Sequence, residues 1–268
     1  MNTAPRGDSR EDFHRWSRAV LAHHRARAGA GASRAVYQTS TISALLDGVY
    51  DGDVTVGELL EHGDFGLGTF NRLDGEMLVL DGVCYHLRAD GSVRPAGAEE
   101  LTPFAAVTRF APDMTLRISE PCDRNTLLGR VDAAIGSENL LCAVRVTGRF
   151  AVVHTRTVMA QTPPYPPLTE AAAGQREAVF HDVDGILAGY RTPAFEQGVS
   201  VAGHHLHFLD GSRRHAGHAL GFRMRHGTVD ISSASALDLS LPRTPEFLRA
   251  HLARAGTDRA IRQAEGGS

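Results

Sequence analysis

Val199-Ser-Val-Ala-Gly-His-His-Leu-His-Phe-Leu-Asp-Gly-Ser-Arg-Arg-His-Ala-Gly-His218 is the stretch on which the reading of the chain turns. Val199, Val201, His205 and His207 fall at alternate positions, and a strand points alternate side chains to one face, so the two histidines stand side by side. Asp210-Gly211 turns the chain, and Ala216 to Phe222 is expected to return as the partner strand of a hairpin, with His218 facing His205 and His207. Three imidazoles converging from two paired strands are a donor set suited to a catalytic zinc, with coordination positions left open for a substrate. His204 and His215 are expected to face away. Imidazole serves zinc, copper, iron and nickel alike, and a lone buried histidine is usually a hydrogen-bonded core residue, so the rest of the chain must decide.

With 268 residues the chain is long enough to bury a full core in one large domain or two modest ones. A formal net charge of -3, with scattered arginines, makes no electrostatic case for nucleic acid. No run of eighteen apolar residues is present and the N-terminus lacks the apolar stretch of a signal peptide, so a cytoplasmic protein without a membrane span is expected. Cys84, Cys122 and Cys142 are odd in number and far apart, which fits reduced thiols and not a zinc site.

Working back to the start, Phe13, Trp16, Val20 and His24 recur at helical spacing and predict an amphipathic helix over 10–28. Thr41 to Val49 reads as a short helix, and Thr55 with Glu58 as the capping box of another that ends at His62-Gly63. Asp74-Gly75, Asp81-Gly82 and Asp90-Gly91 then separate short strands at 65–70, 76–80, 83–88 and from Ser92 onward, an antiparallel meander. Glu76 alternates with Leu78 and Leu80, so its carboxylate lies on the apolar face, a costly place unless it is paired or useful.

Beyond the meander, a strand is expected at 103–110 and a helix at 125–135. Two strands, 141–146 and 150–159, are expected to be joined by a turn at Thr147-Gly148-Arg149, with Arg156 sharing a face with Val152, His154 and Val158. An arginine on a strand is usually a solvated edge residue. Gln161-Thr-Pro-Pro-Tyr-Pro-Pro167 cannot join a sheet and marks the expected domain junction. The expected organisation is an N-terminal extension (1–35), a first α+β domain (36–162) and a metal-binding, strand-rich domain (163–268). Asp184-Gly185 and Gly227 are read as turns, Val229 to Leu241 as further strand, Glu246 to Ala255 as a helix after Thr244-Pro245, and Asp258 to Ala264 as a last short helix. Gly66-Leu-Gly68 lacks the rest of a phosphate-loop fingerprint.

Tyr37-Gln-Thr-Ser-Thr41, Leu46-Asp-Gly-Val-Tyr-Asp-Gly-Asp53, His62-Gly-Asp-Phe-Gly-Leu-Gly-Thr-Phe-Asn71, Leu73-Asp-Gly-Glu-Met77, Arg156-Thr-Val158 and His205-Leu-His-Phe208 together resemble the alpha-acetolactate decarboxylase family. The likeness runs from about Tyr37 to the C-terminus. It implies a strand-rich α+β fold of two domains, built on mixed or antiparallel sheets with a few short helices, the metal site lying on a C-terminal β-hairpin. It implies a homodimer that converts 2-acetolactate to acetoin and carbon dioxide. It also implies that His205, His207 and His218 bind zinc, that Glu76 and Arg156 line the substrate site, that Thr69 stands at the pocket edge, and that a C-terminal glutamate joins them, Glu265 ahead of Glu246.

Elementary chemistry agrees with that role. Loss of carbon dioxide from a 2-hydroxy-3-keto acid leaves negative charge on the ketone oxygen, and zinc held by three neutral imidazoles keeps its full charge to meet it. Arg156 offers a forked contact for a carboxylate. Glu265 is the expected proton donor or relay, and Glu76 is expected to orient the substrate hydroxyl. No organic cofactor is called for. Two alternatives use the same histidines: a zinc lyase or hydrolase that activates water, and a non-catalytic cupin-like metal-binding module. The usual cupin spacing places a glutamate four residues past the H-x-H pair, and that position here is Gly211.

Overall fold

The computed structural model of the chain describes residues 34–253 and 256–265, so the helix expected over 10–28 lies outside the described residues. From Ala35 onward the chain forms one compact unit. Its first sheet takes strands β1 (Ala35–Thr39), β2 (Phe65–Thr69), β3 (Glu76–Leu80), β4 (Val83–Leu87), β5 (Val93–Pro95) and β6 (Phe104–Thr108). Their order is β1-β6-β2-β3-β4-β5, all antiparallel, as the meander predicts. The β3–β4 turn is made by Asp81 and Gly82 with φ of 50° and 78°, and positive φ at both central residues is what a tight hairpin of the right twist requires.

The second sheet is built from long strands: β7 (Met114–Ile118), β8 (Leu141–Thr157), β9 (Arg176–Thr192), β10 (Gly203–Asp210) and β11 (Ala216–Ala234). Central β8 pairs antiparallel with β9 and with β11, β9 pairs with β10, and β10 returns to β11 where His207 stands opposite His218. The sheet therefore closes into a ring at the histidine end. One further strand, β12 (Ala236–Ser240), leaves β11 and crosses to the first sheet, where it pairs parallel with β1 and makes that sheet mixed.

Three expectations are corrected here. The turns at Thr147-Gly148-Arg149, Asp184-Gly185 and Gly227 do not exist; each stretch is continuous strand. Gly148 is registered against Gly185 on one side and Gly227 on the other, so the three form one row across the sheet. The strand carrying the first histidines starts at Gly203, without Val199 and Val201, because Ala194–Glu196 is a 3-10 turn and Gln197 bridges Ser200. The helix at Thr244-Pro245 stops at Arg249 and not at Ala255. The boundary expected at 162/163 falls between β8 and β9, which are paired from Cys142 opposite Arg191 to Thr157 opposite Arg176.

Short helices fill the flanks: α1 (Ile42–Leu46), α2 (Val56–His62), α3 (Arg124–Ile135), α4 (Leu168–Ala171), α5 (Pro245–Arg249) and α6 (Thr257–Glu265). The Thr55 hydroxyl accepts from the Glu58 amide and the Glu58 carboxylate accepts from the Thr55 amide, the expected capping box of α2. The sheets face each other through Phe65, Leu67, Leu78 and Leu87 on one side and Ala143, Ala188, Tyr190 and Leu209 on the other. Leu127, Val131 and Ile135 of α3 join the core of the second sheet with Val144, Phe150 and Phe208. Ile42, Leu45, Leu168, Ile261 and Ala264 pack with Leu73 and Phe104 into a third cluster, bringing α1, α4 and α6 together. Among the described residues no helix is long and apolar enough to cross a membrane.

Candidate metal centre and pocket

His205 and His207 project from one face of β10, and β11 returns through the Asp210 turn to set His218 beside them. Asp210 holds that turn: its carboxylate accepts from the Arg214 and His215 amides and from the Ser212 hydroxyl. One nitrogen from each of His205, His207 and His218 lies within 4.8 Å of the others. Ring centroids are 4.9 to 5.4 Å apart. As expected, His204 and His215 point elsewhere, His204 to Asp132 and His215 to Asp210.

Two of the rings, His207 and His218, are fixed by the outer nitrogen. His207 Nδ1 donates to the Met77 carbonyl at 2.8 Å, and since a carbonyl only accepts, the proton sits on Nδ1 and Nε2 carries a bare lone pair. That Nε2 is buried with no partner. His218 Nε2 donates to the Glu265 carbonyl at 3.1 Å, which leaves Nδ1 for the centre. Burial pushes His205 and His207 down to about 3, helped by Arg156 at His205 and by His205 itself at His207. His218 is held well below its ordinary range by burial and then by Arg156. All three are neutral donors at neutral pH, the state a metal requires.

The other residues singled out in the sequence converge here, with one exception. Glu76 begins β3 next to Met77 and its Oε2 is 3.7 Å from His207 Nε2. Burial pushes the Glu76 carboxyl up to about 7, against the opposing pull of Arg156. Arg156 is not an edge residue: it lies on the central β8 directly opposite His218, only 4% exposed. Its Nη2 donates to Glu265 at 3.1 Å and its Nη1 to Gln175 at 2.9 Å, while its buried Nε has no partner. Glu265 ends α6, its carboxylate 3.6 Å from His205 and 3.7 Å from His218. Thr69, registered opposite Glu76, spends its hydroxyl proton on the Gly75 carbonyl at 2.7 Å and so shapes the turn that delivers Glu76. Glu246, the acidic competitor, is exposed on α5 and takes no part.

These groups line a pocket walled by Ile42, Leu45, Leu73, Phe104, Val158 and Leu168. A pocket that combines charged groups with apolar side chains suits a small anion with alkyl substituents. Gln175 gave no signal in the sequence, being one amide ahead of a strand. The structure ties it to Arg156 and, at 3.4 Å, to Glu177, which in turn pairs with His154 at 2.8 Å.

A family model described as alpha-acetolactate decarboxylase matches residues 36–254. The alpha-acetolactate decarboxylase of Klebsiella aerogenes is 45% identical over 230 residues, covering 86% of this chain and 88% of that protein. That of Raoultella terrigena is 42% identical over 265 residues, 99% of this chain and 100% of its own. The crystal structure of alpha-acetolactate decarboxylase from Bacillus subtilis strain 168 superposes with a TM-score of 0.85 at 41% identity, covering 86% of this chain and 99% of that one.

Proposed function

The chain belongs to the alpha-acetolactate decarboxylase family, and from that premise and the geometry above we propose that it is a carboxy-lyase converting 2-acetolactate to acetoin and carbon dioxide. The observation that carries the chemistry is the bare, buried Nε2 of His207, aligned with two further neutral imidazoles: an acceptor buried without a partner is costly unless something occupies it. His205, His207 and His218 would hold a zinc ion, for which three nitrogens and an open side are a fitting donor set. When bound, such an ion supplies a Lewis acid to the oxygens of the substrate.

The protein's own groups do the rest. Arg156 lines the pocket with its Nε unpaired beside the Nη2 that donates to Glu265, and its guanidinium offers a fork for the substrate carboxylate. Glu76, 3.7 Å from His207, takes the substrate hydroxyl and fixes which carbon–carbon bond is presented. As that bond breaks, its electron pair moves to the ketone oxygen and carbon dioxide leaves. The carbon then regains a proton from Glu265, directly or through a relay, and acetoin is complete. Leu45, Leu73 and Phe104 keep the alkyl groups out of water. A homodimer in the cytoplasm is part of the same proposal; the free, buried Cys84, Cys122 and Cys142 support a reducing setting.

The test is product formation. Purified protein with racemic 2-acetolactate should yield acetoin and carbon dioxide, lose this with a chelator and regain it with zinc. A fully metallated protein that forms no acetoin would overturn the reading.

A further inference from the structure

A second cleft is lined by His205 and His218 of the histidine cluster. It is bounded by Arg124, Gln197, Ala202, His204, Leu220 and Arg262, and it shares His205 and Glu265 with the substrate pocket. The charges around it do not balance. Asp132 accepts from Arg191 Nε and from His204 Nε2, each at 3.1 Å, and Glu265 is engaged by Arg156. Arg124 and Arg262 have no hydrogen-bond or ion-pair partner among the described residues. Arg124 is half-buried as well, so its guanidinium has lost hydration that no carboxylate replaces, and burial lowers its pKa. A cleft with two unpaired arginines, one of them half-buried, and a wall in common with the reaction site is built to receive an anion.

We propose that this cleft is the substrate's entry vestibule, in which Arg124 and Arg262 draw in the carboxylate of a small 2-hydroxy acid before it reaches Arg156. The assignment rests on the decarboxylase reading and adds the route and the residues that serve it. Converging positive charge in a cleft with low-dielectric walls raises the local concentration of an anionic ligand, and added salt removes the advantage. Arginine is suited to this because its charge survives desolvation and its fork releases the carboxylate to a second fork without a proton transfer.

The experiment uses the zinc-loaded full chain and compares it with Arg124→Gln/Arg262→Gln, with Arg124→Lys and with Ala202→Trp. At low ionic strength kcat/KM of the double variant should fall about tenfold and lose most of its salt dependence, with kcat and zinc content kept. Arg124→Lys, which keeps the charge, should restore most of the salt dependence. Ala202→Trp, which fills the cleft, should lower kcat/KM in the same way. Calorimetric binding of 2-hydroxyisobutyrate, which has the carboxylate and hydroxyl but no ketone, should weaken in parallel. Unchanged kcat/KM, salt slope and affinity in the double variant would overturn the vestibule while leaving the decarboxylase reading intact. Absence of acetoin from the parent protein would instead remove the reading itself.

Discussion

Arg156 and Glu265 are 109 positions apart in the chain, yet Nη2 of one donates to Oε2 of the other at 3.1 Å, tying the last helix to the central strand of the second sheet. Beside the pair, Arg156 Nε is buried with no partner. Glu265→Gln keeps the shape and removes the charge. Turnover is expected to fall on the order of a hundredfold or more with zinc still bound, if this carboxylate passes the proton to product. Arg156→Lys should also lose turnover with metal retained, since one ammonium cannot reproduce a planar fork. Kinetics alongside metal analysis decide both; near-parent turnover in the two variants would remove these roles.

Gln175 anchors the same guanidinium from behind, and its amide is oriented in turn by Glu177. Gln175→Ala removes one hydrogen bond to a charged donor, worth about 1.5 kcal/mol, so kcat/KM should fall about tenfold. The loss should appear chiefly in KM, and zinc content should not change. A loss confined to thermal stability would make Gln175 a packing residue only.

Metal retention separates the histidines by face. His205→Ala, His207→Ala and His218→Ala should each abolish stoichiometric zinc, whereas His204→Ala should keep it, because His204 points to Asp132. Zinc should also raise the melting temperature of the parent, since an ion bound only by the folded state stabilises it by mass action. Elemental analysis after dialysis is the readout, and zinc loss in His204→Ala would upset the assignment.

The metal-free protein should be acid-sensitive in a defined window. His205 and His207, at about 3 when folded, and His218, also depressed, stay neutral in the fold but charge in the unfolded chain below the ordinary histidine value of 6.5. Their contribution is therefore lost as pH falls from 6.5. Glu76 works the other way: raised from 4.5 to about 7, it keeps its proton in the fold, a stabilisation present at low pH and lost as pH rises through 7. Between these limits unfolding takes up about two protons, and Glu76→Gln, which removes the opposing group, should raise this to about three. Urea titrations of chelated protein between about pH 5 and pH 6 measure it. A slope unchanged by the substitution would place the proton elsewhere.

Much of this architecture was legible before the structure, and the reason is local chemistry. Asp81-Gly82 has one cheap conformation between alternating strands, and His205 and His207 share a face by parity alone. Glu76 could be placed inward because Leu78 and Leu80 alternate with it. What could not be read is what depends on distant partners. Glu265 came into view only through the family resemblance, since a glutamate at the end of a short polar helix looks like surface. Gly148, Gly185 and Gly227 were misread because glycine serves two purposes, tight turns and close approach of backbones, and sequence shows only its presence.

That row of glycines yields the last prediction. A Cβ on Gly148 would lie 2.3 Å from the His226 carbonyl oxygen, 2.5 Å from Met224 Cε and 2.9 Å from Gly227 Cα. Met224 can move, but the His226 carbonyl and Gly227 are backbone of the paired strand, so the two strands would have to separate. Gly148→Ala is expected to destabilise by about 3 kcal/mol, the cost of overpacking in a core that cannot yield. Gly129→Ala is the matching control: it lies inside α3, meets nothing within 4 Å, and should stabilise by about 0.5 to 1 kcal/mol through helix propensity. If these glycines were turn residues, as their sequence context suggests, Gly148→Ala would be tolerated in a solvent-facing loop. Paired urea unfolding of the two variants distinguishes the cases, and a Gly148→Ala protein as stable as the parent would contradict the continuous strand.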